Sequence, residues 1–200
     1  APMTDLIRHR GPDDEGFALF DSEPIPLGGP DTPAAAYRSD LSYAPRDVFE
    51  ASRADGAIAA LGHRRLSILD LSIAGHQPMA TPDSRYWITY NGEIYNYREL
   101  RDELQACGHR FVTGSDTEVI LAAYAEWGAE CLHRFNGMWA FVLYDRQERR
   151  VFAARDRFGV KPLYYWVSPE GVLALASEIK QFTALPGWQA QLNAQRAYDF

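Results

Sequence analysis

The sequence predicts an α+β domain in which antiparallel strands and two or three helices pack in layers. Short aromatic and β-branched runs, the composition of strands, recur along the 200 residues with polar turns between them. Two stretches near the middle repeat their apolar residues at helical spacing instead, and a glycine follows each one. The chain shows no internal repeat and is long enough to bury a core, so one domain is expected.

The composition excludes several classes of protein. An apolar content of 46%, with 13% aromatic residues, argues against disorder. The formal net charge of −7 provides no basic surface for nucleic acid or anionic lipid. No apolar run has the length of a membrane span, and Cys107 and Cys131 are too few for a disulfide framework. We therefore predict a cytoplasmic protein that binds neither nucleic acid nor membranes.

The first third of the chain contains two predicted strands and one irregular stretch. Residues Ala1–Ile7 resemble the tail of a helix, and a charged loop leads from them to a strand at Phe17–Phe20. Prolines and glycines then punctuate about 35 residues from Asp21 to Gly56, which is unusual within a compact domain. We interpret this stretch, about 21–56, as an insertion loop with a short helix near Val48–Arg53. A second strand is predicted at Ala57–Gly62.

The central strand, Tyr86–Tyr90, is aromatic and β-branched, as a buried strand is. Asn91 and Gly92 are predicted to break it, and Glu93 follows at once. Two interpretations remain open at this point. The pair forms an ordinary hairpin turn beside a solvated carboxylate, or it places an amide and a bare backbone N–H at the end of a rigid strand.

The rest of the chain alternates helix and strand. Asn96 and Glu99 match a capping box for a helix that Gly108 ends, and a second helix is predicted to end at Gly128. A brief strand is predicted between these helices, at Arg110–Thr113. Two hairpins and a final helix near Ser177 follow, the hairpin arms being Met138–Tyr144 with Arg149–Ala154 and Leu163–Val167 with Val172–Ala176.

Polar groups collect at the predicted ends of strands. An arginine such as Arg65 grips a carboxylate with two parallel hydrogen bonds, which lysine cannot do. The carboxylates of Glu93 and Asp116 suit an ammonium group, and Asn91 and Gly92 can donate to an oxyanion. Together these groups predict a site that holds a free amino acid by its zwitterionic end and performs acyl chemistry at the other end.

Several motifs, in one order along the chain, resemble a known family. The chain is similar to the class II glutamine amidotransferase domain of glutamine-hydrolysing asparagine synthetases over nearly its whole length, apart from the insertion. The motifs that carry the resemblance are Arg8-His9-Arg10-Gly11-Pro12-Asp13, His63-Arg64-Arg65-Leu66-Ser67-Ile68, Asn91-Gly92-Glu93-Ile94-Tyr95-Asn96, Gly114-Ser115-Asp116-Thr117-Glu118, Arg155 to Tyr164, and Ala176-Ser177-Glu178-Ile179-Lys180.

The resemblance implies a fold, a reaction and a role for each site residue. The fold is the four-layer αββα N-terminal-nucleophile hydrolase fold, with two stacked antiparallel sheets between helical layers. The reaction is the hydrolysis of glutamine, with the ammonia passed to an ATP-dependent synthetase domain. The implied roles are carboxylate binding by Arg65, Leu66 and Ile68, ammonium binding by Glu93 and Asp116, and an oxyanion hole formed by Asn91 and Gly92.

The same resemblance implies the partners and cofactors. The partners are glutamine and a C-terminal synthetase domain of the same protein, and homodimerisation is also compatible with the sequence. No cofactor or metal is expected in this domain, because the histidines lack metal-ligand spacing. ATP and magnesium are expected in the synthetase domain alone. Arg155, Asp156, Arg157 and Lys161 are interpreted either as hydrogen-bonded loop residues or as a contact with that domain.

One departure from the family pattern qualifies this interpretation. In the family, the nucleophile is a cysteine at the mature N-terminus, whose α-amine acts as the base, and it normally precedes this motif by some tens of residues. Here the sequence begins at Ala1, only a few residues before the Arg8–Asp13 motif, and neither Cys107 nor Cys131 can substitute. We therefore expect 1–190 to be an amidotransferase domain without its first strand and nucleophile, inactive alone. Residues 191–200 are expected to begin a linker to the synthetase domain. The alternative is a catalytically silent module with a structural or ligand-binding role, and a purine or amino-sugar amidotransferase ranks below both.

Overall fold

The computed structural model describes residues 2–67 and 72–198 of the chain. Within them the strands are β1 (Asp14–Phe20), β2 (Pro24–Gly28), β3 (Asp47–Val48), β4 (Ala59–Arg65), β5 (Met79–Ala80), β6 (Tyr86–Ile94), β7 (Gly137–Asp145), β8 (Arg150–Arg155), β9 (Tyr164–Val167) and β10 (Leu173–Ala176). The α-helices are α1 (Pro2–Asp5), α2 (Tyr97–Ala106), α3 (Asp116–Trp127) and α4 (Ala194–Tyr198).

The described strands form three sheets. The first sheet has the order β3-β2-β1-β4 and is antiparallel except for the short parallel pair of β2 and β3. The second sheet has the order β5-β6-β7-β8 and is antiparallel throughout. Strands β9 and β10 form a separate two-stranded hairpin. The predicted antiparallel sheets are thus present, with the last hairpin set apart from the two four-stranded ones.

The main core lies between the two four-stranded sheets. Phe20 of β1 packs on Trp87 of β6 and Tyr144 of β7, with ring centroids 5.5 and 4.6 Å away. The other face of the second sheet is covered by α3, where the ring of Tyr124 meets that of Tyr86 edge to face at 5.5 Å. Helix α2 packs in turn on α3. These contacts give the layer order helices, second sheet, first sheet.

The outer face of the first sheet has a thinner cover. Phe17 and Leu19 of β1 form a second apolar cluster there, and Phe49 packs against it with its ring centroid 4.6 Å from that of Phe17. Helix α1 lies on the same sheet beside β4. Among the described residues this layer therefore consists of one four-residue helix and part of the predicted insertion.

Strand β6 does not break where the sequence predicted. It continues through Asn91 and Gly92 to Ile94, paired with β7 along its whole length. A Cβ atom on Gly92 would overlap the carbonyl oxygen of Met138 and the Cα of Trp139. Glycine is required here because two strands approach closely, and not because the chain turns. The hairpin interpretation of this pair was therefore wrong.

The stretch 21–56 is more regular than the predicted loop. It connects β1 and β4, which pair directly with each other, and it adds β2 and β3 to the opposite edge of the sheet. Strand β2 was not predicted because it contains Pro24 and Pro26, and proline usually argues against a strand. They are two residues apart, so the backbone positions that lack an N–H donor lie on the same side of the strand. This side faces away from β1, because the Pro26 carbonyl oxygen accepts there from the Arg46 N–H.

Three further local predictions can be compared with the structure. The helix expected near Val48–Arg53 is a short 3-10 helix, Ala51–Ala54, and the one expected near Ser177 is another, Ile179–Ala184. The strand expected at Arg110–Thr113 is wrong. The backbone N–H groups of Val112 and Thr113 donate instead to the Glu118 carboxylate, at 2.9 and 2.8 Å.

The capping box at Asn96 is also wrong. Its side chain makes no cap to α2 but bonds the carbonyl of Arg134 and the N–H of Asn136, both at 2.9 Å, and so ties the end of β6 to the start of β7. Both long helices end where predicted, before Gly108 and Gly128. Among the described residues, no helix is both long and apolar enough to span a membrane.

Candidate active site

A cavity of about 460 Å³ lies where the first sheet, the second sheet and the last hairpin meet. Its walls come from the end of β4 (62–65), the middle of β6 (89–92), β7 (140–142), the start of α3 (115–117) and the end of β10 (175–177). Residues far apart in the chain thus face one space, and its size suits a small polar molecule.

The structure brings most of the predicted site residues together. Arg65, Leu66, Asn91, Gly92 and Asp116 all line this cavity. Glu93 is not among the lining residues, but its charge acts on the carboxyl group of Asp116. Ile68, the remaining predicted residue, lies outside the residues that the structure describes.

Arg65 ends β4 and reaches over a tight turn. One guanidinium nitrogen donates to the carbonyl oxygen of Ser72 at 3.1 Å. The guanidinium lies so close to Gly75 that a Cβ atom there would overlap it. The turn thereby supports the planar head of Arg65 at the wall of the cavity, where it can receive a carboxylate. Leu66, the next residue, is half exposed at the rim.

Asp116 is a buried carboxylate at the first position of α3. Ser115 caps the helix by accepting from the Thr117 N–H at 3.0 Å. One oxygen of Asp116 accepts from the Tyr90 hydroxyl at 2.8 Å and from the Ile94 N–H at 3.0 Å. Burial raises the pKa of Asp116, and the nearby charge of Glu93 raises it further. A buried carboxylate with a second negative charge acting on it attracts a cation.

Replacing Asp116 by asparagine tests this electrostatic description. A carboxyl group whose pKa is raised on folding stabilises the protein fully only below its ordinary pKa of 3.8, and this stability is lost as the pH rises through the folded value. An asparagine oxygen can keep both hydrogen bonds without the charge. We expect Asp116→Asn to unfold a few degrees higher than the parent at pH 7, with no gain below pH about 4. A parent protein that is more stable at pH 7 would contradict the burial argument.

Asn91 and Gly92 lie in β6 opposite Ala140 and Trp139 of β7. Because side chains alternate along a strand, Asn91 shares the face of Thr89. That face is turned toward β4, since the Thr89 hydroxyl lies 3.0 Å from Nδ1 of His63. An amide side chain and a backbone N–H at neighbouring positions are neutral donors of the kind that stabilise an oxyanion.

His63 and Gln77 are two residues of the cavity that were not predicted as site residues. His63 was placed in a family motif without a role in the site, yet it lines the cavity, and burial, assisted by His76 and Arg65, lowers its pKa to about 3. It is thus a neutral bridge from β4 to Thr89. The two-residue spacing from His63 to Arg65 is a signal that could have found it. Gln77, in a loop, carries no such signal.

Gln77 connects three elements around the cavity. Its side-chain oxygen accepts from the Tyr90 N–H at 2.8 Å, and its nitrogen lies 3.4 Å from the Thr117 hydroxyl. Gln77 therefore holds the start of α3 against β6, the strand that carries Asn91.

Neither cysteine belongs to the cavity. Cys107 is exposed at the end of α2, and Cys131 is buried, with burial raising the pKa of its thiol to about 12. A buried thiol with a raised pKa is a poor nucleophile. Neither is placed to attack a molecule in the cavity. Across the described parts of the chain, no three His, Cys, Asp or Glu side chains are grouped to hold a metal ion.

Asp156 organises the loop beside the cavity. Its carboxylate accepts from four backbone N–H groups, at distances of 2.9 to 3.2 Å, those of Trp139, Phe158, Val160 and Lys161. Burial opposes the charge of Asp156, but these donors outweigh it and lower its pKa. Of the two roles left open for this motif, Asp156 thus has that of a hydrogen-bonded loop residue, and Lys161 lines the cavity.

Two strand edges border the cavity. Within 2–67 and 72–198, β4 pairs only with β1, and β10 pairs only with β9, although both strands line the cavity. Each therefore presents one row of backbone N–H and C=O groups that no described strand pairs. Such an edge can accept a further strand.

Comparisons with known proteins show which families and folds the chain resembles. A family model described as a glutamine amidotransferase domain matches residues 47–200, a range that contains every predicted site residue. The putative glutamine-hydrolysing asparagine synthetase 2 of Methanocaldococcus jannaschii is 37% identical over 198 residues, which cover 92% of this chain and 31% of that protein. The glutamine-hydrolysing asparagine synthetase 1 of Bacillus subtilis is 39% identical over 163 residues, covering 82% of this chain and 20% of that protein.

A solved structure has the same fold. Glutamine phosphoribosylpyrophosphate amidotransferase from B. subtilis superposes with a TM-score of 0.68 at 22% identity, over 91% of this chain and 39% of that chain. It confirms the predicted N-terminal-nucleophile amidotransferase fold. This chain spans less than a third of the length of the two asparagine synthetases.

Proposed function

Because this chain belongs to the family of glutamine amidotransferase domains, we propose that it is the glutaminase part of an asparagine-synthetase-like enzyme. It hydrolyses glutamine and passes the ammonia to an ATP-dependent synthetase domain that lies outside these 200 residues. The observation that carries the proposal is one cavity with a guanidinium, Arg65, a buried carboxylate, Asp116, and the oxyanion donors Asn91 and Gly92 in its walls.

The charges of the cavity suit the zwitterionic end of glutamine. Arg65 binds the α-carboxylate through two parallel hydrogen bonds, and Asp116, with Glu93 near it, binds the α-ammonium. The ammonium also offsets the burial of the Asp116 charge and its repulsion by Glu93, which together raise the pKa of Asp116. The side-chain amide is then left free to approach Asn91 and Gly92.

The reaction follows from this orientation. A thiolate attacks the amide carbon, and the carbonyl oxygen becomes an oxyanion that the Asn91 side chain and the Gly92 N–H stabilise. The carbon–nitrogen bond breaks, the nitrogen takes a proton and leaves as ammonia, and a thioester remains. Water hydrolyses the thioester to glutamate and regenerates the thiol. No metal or redox cofactor enters this sequence of steps.

The nucleophile in this proposal is a cysteine at the mature N-terminus of the whole protein, with its own α-amine as the base. Two observations support this origin. Neither Cys107 nor Cys131 lines the cavity, and the free edges of β4 and β10 border it. A further strand that pairs with either edge would lie at the wall of the cavity that Asn91 also lines.

The destination of the ammonia is also part of the proposal. The relatives named above are glutamine-hydrolysing asparagine synthetases, and this chain matches only a fraction of their length. We assign ATP and magnesium to the rest of such a protein, and place the whole protein in the cytoplasm. The remaining alternative, a silent module, predicts the same cavity but no cysteine that reaches it.

A glutamine analogue with a diazoketone in place of the amide separates the two functions. In the full-length protein, we expect one cysteine other than Cys107 or Cys131 to attack the analogue. The analogue then releases N2 and stays bound to that cysteine through a thioether. Peptide mass spectrometry locates the adduct, and Cys107→Ser and Cys131→Ser serve as matched controls that keep both labelling and glutaminase activity. Labelling of either of these cysteines would overturn the proposed nucleophile, and an unlabelled, inactive protein would identify the silent module.

A further inference from the structure

Tyr43 carries a contact between the stretch 21–56 and the candidate active site. Although this stretch is mostly exposed, Tyr43 is 3% exposed and packs in the main core. Its hydroxyl donates to the carbonyl oxygen of Ala74 at 2.6 Å. The stretch therefore reaches the turn that precedes β5, about 30 residues further along the chain.

Ala74 belongs to the turn that supports Arg65. The turn is a 3-10 helix, Ile73–Gly75, capped by Ser72, whose hydroxyl accepts from the Ala74 N–H at 3.2 Å. The carbonyl oxygen of Ser72 accepts from the Arg65 guanidinium at 3.1 Å, and the same guanidinium lies against Gly75. A bond to Ala74 thus fixes the middle of the surface on which the head of Arg65 rests.

The same stretch also holds β4 directly beside Arg65. Asp31 accepts hydrogen bonds from the side chains of both Arg64 and Arg8. The Thr32 hydroxyl donates to the carbonyl oxygen of Glu15 in β1, the strand that pairs with β4. The stretch 21–56 is thus anchored to the first sheet, so that Tyr43 projects from a fixed base and not from a loose loop.

We propose that Tyr43 is a positioning residue for substrate binding, through which the stretch 21–56 holds the turn 72–75 and thereby orients Arg65. This inference rests on the proposed function of Arg65 as the carboxylate ligand. An arginine side chain has many rotamers, and it grips a carboxylate bidentately in only a few of them. Fixing the guanidinium before glutamine arrives lowers the entropic cost of binding.

The expected effect is a change in binding without a change in chemistry. In the full-length enzyme, Tyr43→Phe keeps the buried ring but removes the bond to Ala74, and we expect the KM for glutamine to rise about two- to tenfold. The kcat and the ammonia-dependent synthesis stay unchanged, because neither the nucleophile nor the oxyanion donors are affected. Tyr37→Phe is the matched control, because it removes a hydroxyl from the same stretch, near Thr32, and leaves KM unchanged.

A double-mutant cycle shows whether Tyr43 acts through Arg65. In an Arg65→Ala background, Tyr43→Phe should cause no further rise in KM, since the orientation of an absent guanidinium cannot matter. An equal rise in both backgrounds, a fall in kcat, or no rise in the parent enzyme would overturn the inference. If Arg65→Ala itself left KM unchanged, the proposed role of Arg65 would fail instead, so the two failures are distinguishable.

Discussion

Replacing Asn91 by alanine in the full-length enzyme is expected to lower kcat for glutamine hydrolysis by about a hundredfold or more. The Asn91 amide would donate to the oxygen of the substrate amide only after that oxygen has gained negative charge. Its loss therefore raises the energy of the transition state more than that of bound glutamine, and KM should change little. The rate of glutamate release measures the effect.

Asn136 provides a matched control for Asn91. It lies just before β7, and its side chain is exposed and does not line the cavity. Its hydrogen bond to Asn96 is donated by the backbone N–H and not by the side chain. Asn136→Ala should keep the parental kcat. If Asn91→Ala also kept it, Asn91 would have no part in the oxyanion hole, and the side-chain donor would have to be sought among the other residues of the cavity.

Replacing Arg65 by alanine should raise the KM for glutamine by about ten- to a hundredfold, which corresponds to the loss of a charge-assisted, bidentate hydrogen bond. Arg65→Lys should recover only part of the affinity, because an ammonium group keeps the charge but not the planar fork. Synthesis from free ammonia bypasses the glutamine site and should be spared. Initial rates with glutamine and with ammonium chloride, measured on the same preparations, test both statements.

The pattern of loss across the two nitrogen donors decides the interpretation of Arg65. Arg98, exposed on α2 and stacked on Tyr97, offers a control in which a surface guanidinium is removed without contact to the cavity. Arg98→Ala should behave as the parent with both donors. If Arg65→Ala lost glutamine- and ammonia-dependent synthesis equally, Arg65 would be a residue of the fold and not a ligand of the substrate.

Local sequence signals predict the first part of β6 but not its end. The run from Tyr86 to Tyr90 was predicted as a buried strand, and its aromatic and β-branched residues do form one. The predicted end of that strand was wrong, because Asn-Gly is also the strongest short sequence signal for a turn. The decisive fact is the approach of β7 at Met138 and Trp139, which no local pattern contains.

In the candidate active site, too, some residues were predicted from local motifs and others were not. Arg65, Asn91 and Asp116 were assigned from motifs, and the fold brings the end of β4, the middle of β6 and the start of α3, which carry them, to one cavity. The groups that support them were not predicted. Tyr43 meets Ala74, and Gln77 meets Tyr90, across tertiary contacts between residues that share no spacing in the sequence. Supporting residues of this kind follow from the packing of the chain and not from its pattern.

The stretch 21–56 illustrates a third limit. Its prolines and glycines predicted a loop, and the lack of a regular period gave no reason to expect strands. Strand β2 forms nevertheless, because Pro24 and Pro26 place their missing donors on the side that does not face β1. Composition alone does not distinguish a proline-containing strand of this type from a loop.

In the proposed function, one cavity holds free glutamine by both charged ends with its amide at Asn91. A crystal structure of the full-length protein with its nucleophile replaced by alanine, grown with glutamine, shows where and how the substrate binds. We expect the α-carboxylate about 3 Å from the guanidinium of Arg65, the α-ammonium at Asp116, and the amide oxygen beside Asn91 and Gly92. Glutamine bound in another cavity, or in this one with its α-carboxylate away from Arg65, would contradict the claim.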